Sequence, residues 1–85
     1  MREVNVPIKA WQRIPKYSDY PFMAKIPIEK ATPDMFPYTE FGKEEAESGN
    51  FAMICESVKG GVLIYAKEKP EKEIKVNVAL YTGGI

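Results

Sequence analysis

Histidine is absent from this 85-residue chain and cysteine occurs once. These two shortages remove most of the usual chemistry. Without imidazole there is no general base poised near neutral pH, and the commonest metal ligand is missing. Ser18, Ser48 and Ser57 have nothing with which to form a Ser-His pair. A lone Cys55 completes neither a zinc site nor an internal disulfide, so neither metal nor cofactor is expected. Net charge is lacking too: twelve basic and twelve acidic side chains interleave along the chain. Neither half has the field that gathers a nucleic-acid backbone or an anionic membrane, which argues against both as partners. Apolar runs reach only five residues, far short of a membrane span of about 20. With no disulfide framework, and no apolar leader after Met1-Arg2-Glu3, a reducing cytoplasm is the expected location.

The gaps favour binding over catalysis, and the chain is read as non-enzymatic. What is present belongs to a folded globule: 45% hydrophobic residues, with one Trp, five Tyr and four Phe. The length suits a single domain, 1–85, with one modest core. Three segments alternate with period two. Val4, Val6, Ile8 and Ala10 share one face, as do Phe22, Ala24, Ile26 and Ile28, and again Ile74, Val76, Val78 and Leu80. Pro7 and Pro27 cannot donate to a ladder, so each should lie beside an edge or bulge.

Residues 51–58 and 62–66 are nearly continuous hydrophobe and meet at Lys59-Gly60-Gly61. The paired glycines are read as supplying the positive φ of a hairpin turn. Pairing Ser57 or Lys59 with Val62 lines up Phe51, Met53 and Cys55 with Val62, Ile64 and Ala66. The opposite face, with Ala52, Ile54, Leu63 and Tyr65, is also apolar. A hairpin that is apolar on both sides has to be covered on both sides. Either the connector 30–50, which carries Met35, Phe36, Tyr38 and Phe41, or a second copy of the chain could supply the cover.

The expected fold is mainly β: a small five-stranded barrel or strongly twisted sheet, with strands near 3–11, 21–29, 51–58, 62–68 and 73–82. A long irregular connector, 30–50, holds at most one short helix. Thr32-Pro33-Asp34 reads as a helix start, which Pro37 and Gly42 interrupt, and Lys43–Ser48 reads as a turn and a half of helix stopped by Gly49. Glu68–Glu73 should be a solvated loop. The expected core is Val4, Val6, Ile8, Phe22, Ile26, Ile28, Met53, Cys55, Val62, Ile64, Val76, Val78 and Leu80.

The segment most suggestive of function is 11–20, which mixes aromatic and basic residues with a stiff proline. Trp11, Arg13, Lys16, Tyr17 and Tyr20 are the expected partner-binding residues, because Trp, Tyr and Arg carry most interface energy. The same side chains could instead cap the open end of the core. The favoured function is a small binding or adaptor protein acting through a protein–protein surface. The alternative is a small-ligand or nucleotide binder, with the aromatics stacking and Arg13 and Lys16 meeting phosphate. Glu44, Glu45 and Glu47 lie on one short exposed segment and do not converge, so they read as a solvated face.

The chain ends Tyr81-Thr82-Gly83-Gly84-Ile85 after its last alternating segment. A final strand running into Gly-Gly, with a long connector between the second and third predicted strands, resembles the ubiquitin-like and sulfur-carrier proteins. That resemblance implies a modifier acting through an exposed Gly83-Gly84. The sequence departs from the pattern at Ile85, which would have to be removed, and at Pro37 and Gly42, where the family needs a solid helix.

Overall fold

Pro7 ends the first alternating segment before it can become one long strand. The computed structural model describes residues 2–82. It places β1 at Arg2–Val6, then a 3-10 turn at Ile8–Ala10 closed by the Ala10 N–H on the Pro7 carbonyl, 3.0 Å. β2 spans Trp11–Tyr17 and β3 spans Tyr20–Pro27, joined at Ser18-Asp19. β4 is Phe36–Phe41, α1 is Lys43–Ser48, β5 is Glu56–Val58, β6 is Gly61–Ala66 and β7 is Ile74–Tyr81.

The described strands form two antiparallel sheets, in the orders β1-β7-β4 and β2-β3-β6-β5. The mainly β reading holds, but the sheets do not close into a barrel. The expected strand 3–11 is divided at Pro7, and residues 11–17 and 36–41 add strands that alternation had not indicated. The connector is thus more ordered than expected, because Phe36–Phe41 pairs along β7. Thr32–Met35 makes turns, not a helix start, while α1 ends as expected at Gly49, whose φ is +72°. No helix among the described residues is long and apolar enough to cross a membrane.

The core lies between the facing sheets. Val6, Ile74, Val76 and Val78 from one meet Trp11, Ala24, Ile26, Val62, Ile64 and Ala66 from the other. Val4, Phe22, Ile28, Cys55 and Leu80 pack against this cluster, as expected. Ile8 and Met53 do not, and both are exposed. Ile8 falls in the 3-10 turn after Pro7, where the strand alternation that would have buried it has ended.

The prolines sit where a missing N–H does least harm. Pro7 follows the edge strand β1, and Pro27 lies beyond the start of β2, which begins opposite Ala24. The β5–β6 hairpin pairs Ser57 with Val62 and Val58 with Gly61, leaving a turn at Lys59-Gly60. Of these two glycines, Gly60 has positive φ, +83°, and Gly61 does not, so the second glycine has another cause. A Cβ on Gly61 would lie 2.6 Å from the Ile26 carbonyl oxygen and 2.8 Å from the Lys25 side chain. Close approach of β3 requires that glycine, not turn geometry. Gly60 also ties down the loop after β3: its N–H donates to the Ala31 carbonyl (3.0 Å) and its carbonyl accepts from the Ile28 N–H (2.9 Å).

Candidate functional site

Two edge segments carry more residues than the strands they face. Ala52–Cys55 stand opposite only Ile64 and Tyr65, between the Phe51–Ala66 bridge and the Glu56–Leu63 pair. In β2, Ile14–Lys16 stand opposite only Pro21. Surplus residues in an antiparallel pair must leave the ladder, bending the strand and redirecting its side chains.

The first surplus builds a ridge. Its start is pinned by Asn50, whose side-chain amide donates to the Glu68 carbonyl (3.0 Å) and accepts from the Glu68 N–H (2.9 Å). The Ala52 N–H then donates to the Tyr65 carbonyl at 2.9 Å. Past that point the chain bows outward: Ala52 is buried, Met53 is 99% exposed, Ile54 is half exposed and Cys55 returns toward the core. The continuous strand 51–58 of the sequence reading would have buried Met53. The surplus residues prevent it.

The second surplus carries Lys16 and Tyr17 over the outer face of the four-stranded sheet. Tyr17 meets Tyr65 edge to face, with ring centroids 4.8 Å apart. Lys16 Nζ lies 2.9 Å from both carboxylate oxygens of Glu56, and the Tyr65 hydroxyl donates to the same carboxylate. Tyr65 is thereby fully buried on a face that sheet packing alone would leave wet. The expected cover for this face was the connector or a second copy; the end of β2 is among what supplies it. The hydrogen bond from Tyr65, then that from Lys16, holds the Glu56 carboxyl below its ordinary 4.5. Burial first, then hydrogen bonding to Glu56, pushes the Tyr65 phenol above its ordinary 10.0, and the Glu56 hydrogen bond raises Lys16. These groups satisfy one another and so lock a layer in place.

A depression lies on each side of the ridge, and Ala52 and Met53 wall both. Lys16, Tyr17, Ser18, Asp19 and Tyr20 form the far side of one. Pro37, Tyr38, Phe41, Glu45 and Ala46 border the other. Tyr38 continues this surface onto the outer face of the three-stranded sheet. There Phe36 stands directly across from Tyr81 and Tyr38 across from Ala79, with all three aromatics exposed.

The structure therefore brings together Lys16, Tyr17 and Tyr20 of the five expected binding residues. Trp11 is a core residue, buried opposite Ala24 with its ring 5.8 Å from Phe51. Its indole N–H has no acceptor among the described residues. Placing Trp11 on an outer face required the unbroken strand 3–11; a strand that restarts at Trp11 turns the ring inward. Arg13 is exposed opposite Phe22 and borders neither depression. Met53, Ile54, Phe36, Tyr38 and Tyr81 were missed. The signal was present only in part: 51–55 contains no polar residue to mark a solvent side, so alternation could not orient it. The expected Gly83-Gly84 modifier tail, with Ile85, lies outside the described residues. Comparison with protein-family models, curated proteins and solved structures found no match to the chain.

Proposed function

We propose that the protein is a small non-enzymatic binding module that acts through a protein–protein surface centred on the Met53–Ile54 ridge. The observation that carries this reading is the wholly exposed Met53 on a ridge pinned at Asn50 and Ala52 and flanked by two depressions lined with aromatics. An exposed flexible thioether beside Tyr and Phe side chains is suited to irregular apolar partners. The start of the ridge is held at Asn50 and Ala52, which lowers the ordering cost of binding. Lys16, Tyr17 and Tyr20 serve as one flank of the surface, and Tyr38 as the other. The aromatic flank without Arg13 gives less support to the nucleotide-binding alternative.

The test is a photo-crosslinking amino acid placed at position 53, with the exposed Ile8 as control position. The reading expects one discrete polypeptide adduct at 53 that re-forms with the purified polypeptide and is lost on Ile54→Asp. Adducts at 53 no more discrete than those at position 8 would overturn it.

A further inference from the structure

We infer that the partner seated on the ridge surface is a second copy of this chain, related by a two-fold axis running between the ridge and the depression beside β4. This rests on the binding reading above and specifies its occupant. Three observations converge on it.

The first is shape. An isologous contact needs one surface that is complementary to itself. Here a protruding apolar ridge stands directly beside an apolar depression, with Met53 forming the wall between them. A two-fold axis between the two features seats Met53 of each copy in the depression of the other, against Tyr38 and Phe41.

The second is area. Phe36, Tyr38, Met53 and Tyr81 are 63, 46, 99 and 57% exposed. At side-chain areas of about 200 Å² each, they leave about 500 Å² of largely apolar surface on one copy. Two copies bring together about 1,000 Å², the size of a weak, transient contact. That area fits a reversible dimer.

The third is the pattern of charge and edges. Residues 51–55 carry no charge, and Glu45 is the one carboxylate among the described residues lining this depression. Its carboxylate folds back over Gly42, 2.7 Å from where a Cβ on that residue would stand, at the N-terminal end of its own helix. With equal numbers of basic and acidic side chains, two copies meet without net repulsion. Strand addition, the other route to a dimer, is blunted at the sheet edges. Pro15 lies in β2, Pro37 in β4, Pro7 just beyond β1, and β5 is only three residues long. A copy therefore docks on the side-chain surface and not on a sheet edge.

Sedimentation equilibrium of the purified chain from ~1 µM to ~1 mM tests this, a range that spans weak to moderate affinity. The expected result is a monomer–dimer equilibrium, with the dimer dissociation constant raised at least about thirty-fold by Met53→Asp, the loss typical of a central interface anchor. Met53 is wholly exposed, so thermal melting of the variant at low concentration should match the parent and exclude misfolding as the cause. A chain that stays monomeric throughout, or a dimer that Met53→Asp leaves intact, overturns the inference. If the chain is monomeric while position 53 still crosslinks one different polypeptide, only the second-copy assignment fails. If neither association is found, the binding reading fails with it.

Discussion

On the outer face of the four-stranded sheet, Tyr65 has no solvent exposure, because Tyr17 and Lys16 come across from the bulged end of β2 and meet it and Glu56. On the outer face of the three-stranded sheet, Phe36, Tyr38 and Tyr81 stand in solvent, although their strand neighbours Pro37, Thr39 and Phe41 turn inward opposite Leu80, Val78 and Val76. The two faces have similar aromatic content but different covers. A strand with surplus residues can fold over its own sheet, whereas β4 pairs with β7 residue for residue and has no slack with which to do so. Apolar surface on the second sheet is therefore left uncovered by the fold.

The sharpest way to break this contrast is to truncate the covered aromatic. Tyr65→Ala should cost about 3–5 kcal/mol in urea unfolding, the range for losing a buried ring. It would also leave the Glu56 carboxylate without its phenolic donor. Gly61→Ala comes next, at about 1–3 kcal/mol, because the added methyl meets the Ile26 carbonyl on the neighbouring strand and must push backbone aside. Midpoint shifts at constant denaturant slope would check both.

The Glu56 lock gives a pH signature. Its folded-state carboxyl lies below the ordinary 4.5, so its stabilisation is present above that value and is lost as pH falls through the depressed folded value. Tyr65 acts at the other limit: its phenol lies above 10.0 in the fold, so its share is present below that pH and lost on going more alkaline. Glu56→Gln should flatten the acid limb of a stability–pH curve measured by thermal melting; an acid limb unchanged by the substitution would remove Glu56 from the lock. The smallest effect belongs to the uncovered face. Phe36→Ala should shift monomer stability by no more than about 0.5 kcal/mol, since the ring buries little. A loss as large as that at Tyr65 would mean the two faces are not different after all.

Much of the inner core was legible because β1, β3 and β7 alternate along their length, and a period of two encodes which side is buried. Val6, Ile26, Val76 and Val78 all follow it. The site was less legible. Lys16, Tyr17 and Tyr20 stand out by composition, but Trp11 was assigned outward by carrying alternation through Pro7, and Met53 inward by carrying it through residues that have no partners across the ladder. Parity is kept only while pairing is continuous, and one interruption resets it.

From the chain alone follow the mainly β character, the stop of α1 at Gly49, the hairpin at Lys59-Gly60-Gly61 and most of the buried alternating residues, because each depends on neighbours a few positions away. Tertiary structure decided that two sheets form instead of a closed barrel, that Phe36–Phe41 joins β7, and that Met53 faces solvent while Trp11 does not. These outcomes depend on how many residues fit between two hydrogen-bonded pairs on facing strands. That count is a relation between distant segments, and no local pattern of side chains contains it.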